Sequence, residues 1–268
     1  MSNRLSFVLQ RAAMIAVLVS SVAAASAAQG ARGEGVGPGG TFPFTSFFLS
    51  TGGSIAATSD LNLRLDTAGY FAVSNDAISY GGGARMGWGR MILGGEFAVT
   101  DFGEEGNPVS GRNSEMHSRF ALGQIGYALW AGRHLNVYPM LGIGAGTMVL
   151  TLSDRNGGGS PPAGVDPTFT EIALHPNFSS ELNATYLLFE PAVGADWLVL
   201  RSVGDRFGLT LGARVGKKIA PNRAAWKLDG RKVIGGPDVG PDGVWLRLTA
   251  GIAWRREATR GDARRALR

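Results

Sequence analysis

The chain has 268 residues, of which 44% are hydrophobic and 18% charged, so it can build one sizeable core or two small ones. It has 41 glycines but no G-X-Y period, which excludes collagen, and it lacks cysteine, which excludes a disulfide framework, thiolate metal ligands and a cysteine nucleophile. The net charge of +5 comes from the ends. Removing the two Arg of the first 28 residues, and the six Arg and two acids after Trp254, from the 26 basic and 21 acidic residues leaves 18 and 19. The body is therefore slightly acidic and offers no clustered basic face for nucleic acid.

Residues 1–28 have the three parts of a secretory signal peptide. Arg4 and Arg11 precede the apolar run Ala12–Val22, and Ala24–Ala28 offers small residues for cleavage after Ala27 or Ala28. The apolar run is shorter than the ~20 residues needed to span a bilayer as a helix, so cleavage is expected. Residues 29–44 (QGARGEGVGPGGTFPF) read as a flexible lead-in. After them no helical period stands out. Alternation of period two recurs instead, in eight strands at 45–57, 77–88, 90–101, 116–130, 134–150, 183–199, 206–218 and 243–254.

The connections alternate in length. Those at 58–76, 102–115, 151–182 and 219–242 are long, while those at Gly89, Ala131–Arg133 and Leu200–Asp205 are short. Most strands have at least the ~9–11 residues that cross a bilayer at a tilt. Short turns on one side and long polar loops on the other, as in DRNGGGSPP at 154–162, fit a barrel in an outer membrane.

The two faces of each strand differ. One face is bulky and apolar: Ile78, Tyr80, Met86 and Trp88 in the second strand, Leu187, Phe189, Val193 and Trp197 in the sixth, Leu209, Leu211 and Val215 in the seventh. The other is small and sparsely charged: Gly81, Gly83 and Arg85, then Glu190, Gly194 and Asp196, then Gly212, Arg214 and Gly216. A soluble barrel needs bulk inside and charge outside; this pattern is the reverse, with lipid around it and a polar lumen within. The fold class expected is all-β, an eight-stranded antiparallel transmembrane up-and-down barrel over 45–254. Trp88, Trp130, Trp197 and Trp254 end alternate strands on the short-turn side, as an interfacial girdle would. The fourth strand loses phase near Gln124, where a bulge is expected, and Pro139 and Pro191 interrupt the donors of two strands.

Arg85, Glu96, Arg119, Glu190, Arg214 and Arg247 are expected to form a lumen charge network, with Glu190 and Arg214 on adjacent strands as its central pair. Buried charges must pair or neutralise. Such a network either plugs the lumen or lines a narrow path, and the small bore of eight strands favours a plug.

On this pattern over 45–254 the chain resembles the small bacterial outer-membrane β-barrels of the OmpA/OmpX type. The resemblance implies an integral outer-membrane protein with variable outer loops and a structural, weakly porin-like, resistance or adhesive role. No peptidoglycan-binding segment is read after Trp254. Instead, 14 Arg-rich residues follow, read as a solvated periplasmic tail. The partners implied are outer-membrane lipid and lipopolysaccharide, whose phosphates Lys217 and Lys218 would meet at a strand end, and an extracellular ligand for the long loops; a monomer is expected. Catalysis, cofactor and metal sites are not expected. His117, His134 and His175 are scattered, and the late strands carry no His. Lipid A hydrolysis is the enzymatic alternative, through His175, Ser179, Ser180 and Glu181 beside the third long loop. Gly142, Gly144 and Gly146 alternate on one strand and do not open a helix, and GARVGK at 212–217 is one residue short of a phosphate loop.

Overall fold

The computed structural model describes residues 44–88, 90–132, 134–157, 166–176, 179–201, 207–221 and 224–255. The signal segment, nearly all of the lead-in and the tail beyond Arg255 lie outside the described residues. Eight long strands occur among the residues described: β1 Phe44–Ile55, β2 Asp76–Trp88, β3 Met91–Gly106, β4 Arg112–Tyr127, β5 Leu135–Asp154, β6 Ser180–Arg201, β7 Phe207–Lys218 and β8 Gly243–Arg255. Every neighbouring pair is antiparallel. β1 also pairs with β8 from Phe44↔Arg255 to Ser54↔Trp245, so the sheet closes and none of these eight strands is left as an open edge.

The strands alternate as the hydrophobicity does. Phe47, Leu49, Ile78, Tyr80, Met86, Phe97, Ile143, Val193, Val215 and Leu246 face outward, Leu49 with 75% of its surface exposed. Ser50, Arg85, Glu96, Glu190, Arg214 and Arg247 are buried inside. Water would not tolerate so wide an apolar belt, and lipid requires it. The chain is an integral outer-membrane β-barrel, with short turns at one end and long loops at the other.

The interior explains the glycines. Bulky aromatics of the lumen lie directly across from glycines on neighbouring strands: Tyr138 from Gly194, Tyr186 and Phe120 from Gly146, Trp245 from Gly216, and Phe48 from both Gly83 and Gly251. A Cβ added at Gly194 would lie 2.7 Å from Tyr138 Cε2, and one at Gly216 would lie 2.7 Å from Trp245 Cζ2. The ring occupies the space that the missing side chain leaves, so an eight-stranded bore holds both aromatic bulk and charge.

Some sequence expectations need correction. The ladder of β4 runs unbroken through Gln124, opposite Gly94 on one side and Gly142 on the other, so there is no bulge there. The phase is continuous because Phe120 and Leu122 point inward with Gln124. The register shifts lie elsewhere, between Asp101 and Glu104 in β3 and between Leu198 and Leu200 in β6. Pro139 and Pro191 cause no shift between β5 and β6; the β6–β7 ladder stops at Ala192, beside Pro191, and resumes as a bridge between Phe189 and Ile219.

The outer loops carry two helices that the periodicity did not suggest, α1 Ser59–Thr67 and α2 Phe169–Leu174. In α1, Leu61 and Leu65 are buried one turn apart. A capping box starts α2: Glu171 N donates to Thr168 Oγ1 at 3.2 Å and Thr168 N donates to Glu171 Oε2 at 2.9 Å. The bonds that Thr168 N and Thr168 Oγ1 donate to the Glu171 carboxyl, each 2.9 Å, hold its pKa below the ordinary value. β3 to β6, at 16 to 22 residues, rise above the 12- and 13-residue strands opposite. Their upper inner faces, with Phe102, Met116, Leu150 and Leu182, pack on Leu61, Leu65, Phe169, Ile172 and Trp226. The barrel thus carries an apolar cap at its outer mouth.

Gly194→Val is expected to displace the Tyr138 ring and cost about 1–3 kcal/mol, as overpacking does. Denaturant midpoints of the refolded barrel, followed by heat-modifiable gel mobility, check it; an unchanged midpoint would rule out the glycine–aromatic fit.

Candidate functional site

Every one of the eight strands sends polar groups into the lumen. They are Ser50 from β1, Arg85 from β2, Glu96 from β3, Gln124 from β4, Tyr138 from β5, Glu190 and Asp196 from β6, Arg214 from β7 and Arg247 from β8. Glu96 is the hub. Its Oε1 accepts from Ser50 Oγ at 3.1 Å and Arg247 Nη1 at 3.4 Å; its Oε2 accepts from Gln124 Nε2 at 2.8 Å and Arg214 Nη1 at 2.5 Å. Arg247 also grips Glu190 with both terminal nitrogens, each bond 2.8 Å, in the planar fork that a carboxylate best accepts.

A second cluster lies closer to the short-turn end. Arg85 Nη1 donates to Asp196 Oδ2 at 2.9 Å and to the Tyr138 hydroxyl, while Tyr138 donates to the same Asp196 oxygen at 2.8 Å. Phe48 joins the clusters: the Arg85 and Arg214 guanidinium carbons lie 4.3 Å and 4.8 Å from its ring centre. The ring attracts both cations.

Of the six charges expected in the lumen, Arg85, Glu96, Glu190, Arg214 and Arg247 are buried there. Arg119 is not. It is exposed on the outer face of β4, because Phe120 takes the inward position. The expected central pair is also corrected: Glu190 binds Arg247, and Arg214 reaches across the bore to Glu96. Reasoning from sheet neighbours misses such contacts, because in a closed barrel the opposite wall is within an arginine's reach. Tyr138, Asp196 and Gln124 belong to the network although only their inward parity, or for Gln124 a supposed loss of phase, was visible in the sequence. Lys218, expected at the lipid surface, is 2% exposed inside the barrel, while Lys217 faces out.

The four tryptophans expected to form a girdle lie toward the short-turn end of the strands. Trp254 is edge-on to Phe47 and Phe207 at 5.5 Å and 5.0 Å. Trp130 is exposed beyond the end of β4, and Trp197 is half-buried opposite Leu135, four residues before β6 ends. Trp88 closes β2.

In the cap, Arg112 ties four segments together. Nε binds Asp154 Oδ2 at 3.2 Å, Nη2 binds the Leu174 carbonyl at 2.9 Å, and Nη1 binds the Ala68 carbonyl. Asn62 holds Val73 through both its amide oxygen and nitrogen, at 2.8 Å and 2.9 Å. Burial pushes the Tyr70 phenol up to about 12, against the pull of the Arg112 guanidinium.

Three of the residues considered for hydrolysis have other partners or places. Ser180 Oγ donates to the Pro176 carbonyl at 2.7 Å, Glu181 accepts from Asn183, and His175 ends α2. Among the described residues, no group of three His, Asp or Glu comes together as metal ligands would.

The chain is similar in fold to several solved outer-membrane proteins. Ail, the attachment invasion locus protein of Yersinia pestis, solved with the heparin analogue sucrose octasulfate, has 12% identity and a TM-score of 0.41, covering 80% of this chain and 99% of Ail. Neisserial surface protein A has 11% identity and a TM-score of 0.37, covering 80% and 97%. A major outer membrane protein from Thermus thermophilus has 9% identity and a TM-score of 0.38, covering 79% and 99%. No protein-family model and no curated protein matches the sequence. The closed eight-strand barrel, its apolar belt and its polar lumen define the class: a small bacterial outer-membrane β-barrel.

Glu96→Ala should strand Arg214 and remove one of the two carboxylates of Arg247, costing about 3–5 kcal/mol. A double-mutant cycle with Arg214→Met is expected to recover part of that loss; additive effects would mean that the pair is not coupled. The Tyr70 phenol is raised in the folded chain, so its contribution is complete below pH ~10 and fades as pH rises through about 12. Tyr70→Phe should flatten the alkaline loss of cap protection from protease; an identical pH profile in the variant would count against this assignment.

Proposed function

We propose that this protein is a closed, structural barrel that holds an ordered cap at the outer surface and does not conduct. The observation carrying this reading is the filled bore. Glu96 alone engages four side chains from β1, β4, β7 and β8, and Phe48, Phe120 and Trp245 occupy the space between the charges. Above them lies the apolar cap, where a conducting channel would need a wetted mouth. Lys217, exposed at the outer end of β7, supplies a cation for lipopolysaccharide phosphates.

A second reading, partner binding through the loops, is favoured by one observation. Val109 is 94% exposed at the tip between β3 and β4, and exposed Phe71 and Leu174 flank the segments that Arg112 joins. A rigid base under exposed apolar side chains lowers the ordering cost of binding.

Refolded barrel in planar bilayers should show no steady conductance. Steady ohmic conductance that changes on Arg214→Ala or Glu190→Ala would replace the closed reading with a pore. Arg112→Met should speed trypsin cleavage at Arg64 in intact cells while leaving the membrane-embedded core resistant. Equal cleavage would mean that Arg112 does not order the cap.

A further inference from the structure

Among the described residues, the lumen holds more cationic than anionic groups. Arg85, Arg214, Arg247 and Lys218 face Glu96, Glu190 and Asp196. The carboxylates are taken: Asp196 by Arg85, Glu190 by Arg247, Glu96 by Arg214 and Arg247. Lys218 is left over. It is 2% exposed, and its hydrogen bond, to Thr100 Oγ1, is 3.5 Å long. The charges acting on it are Arg247, Glu190 and Glu96, and both carboxylates are already engaged by arginine. An uncompensated ammonium held away from water is costly, so either it loses its proton or an anion joins it.

The donors around it favour the anion. Trp245 Nε1 and Arg247 Nε are buried without an acceptor, and an indole N–H can only donate. Trp245 stands opposite Gly216, between the Lys218–Gly243 and Arg214–Arg247 pairs of the β7–β8 ladder, so the three donors follow one another along a single inner wall. Arg247 lies on the Trp245 ring at 4.0 Å. Lys218 Nζ and the Arg247 guanidinium both lie against the Phe120 ring, at 4.5 Å and 5.1 Å. Buried acceptors without a partner are fewer in the lumen: Gln124 Oε1 and Ser79 Oγ, and the serine oxygen can itself donate.

We propose that the lumen binds one small inorganic anion of the halide class, held by Lys218 Nζ, Trp245 Nε1 and Arg247 Nε. The anion balances the extra positive charge and gives the buried donors an acceptor. A monovalent ion matches a surplus of one. A phosphate group would bring more charge and bulk than a bore already filled with aromatic rings accepts. This site does not depend on whether the barrel conducts.

The probe is bromide. Crystals of the refolded full chain grown with sodium bromide in place of chloride should show an anomalous peak within about 3.5 Å of Lys218 Nζ and Trp245 Nε1. At constant ionic strength, replacing chloride by gluconate should lower the melting temperature of wild-type barrel. Lys218→Met should abolish both the peak and the difference between the two salts, and Lys218→Arg should retain the peak. If Lys218→Met does not fold, the wild-type bromide map decides alone. A map with water or no density at these donors would overturn the proposal, as would a peak that persists in Lys218→Met or a melting temperature indifferent to the anion.

Discussion

The constraint on which this structure turns is the placing of a carboxylate, Glu96, in the centre of a membrane-embedded bore. A lone ion there would be prohibitive, and even a paired one recovers its desolvation cost only with near-complete hydrogen bonding. Glu96 achieves this with one hydroxyl, one amide and two guanidinium groups drawn from four other strands. Each of those strands must be in register for its donor to arrive. The network is therefore a check on barrel closure as much as a filler of the lumen: a one-residue slip would turn every donor toward lipid.

Aromatic rings and glycines solve the problem of room. Eight strands leave a narrow bore, and arginines, rings and carboxylates must share it. A ring set across from a glycine takes its volume from the facing strand and not from the bore. It also offers its π system to cations, as Phe48 does to Arg85 and Arg214. Apolar bulk, abundant glycine and isolated charge, an odd mixture in sequence, are three parts of one packing arrangement.

Much of the fold is legible in the sequence. Period-two alternation, strand length and the alternation of long and short connections place the eight strands within a few residues, because lipid demands an unbroken apolar face on every strand. Parity misleads in β4, where the apolar Phe120 and Leu122 line the bore and no loss of phase occurs. The same strand misplaces Arg119, which its charge assigned to the lumen. The cap escapes sequence reasoning because a helix as short as α1 has too little length for its period to stand out, although Thr168 and Glu171 have the spacing of a capping box.

The sequence by itself determined, for most strands, which residues face lipid and which face inward, since that is a local property of a strand with period two. It could not determine who meets whom inside. Pairing across a closed bore depends on strand tilt and on arginine reach, so Glu190 met Arg247, Arg214 met Glu96, and Asp196 with Tyr138 took Arg85. Lys218 shares the inward parity of Arg214 and Gly216 along β7, so its place in the barrel follows from the same local period, and only Lys217 meets the outer face.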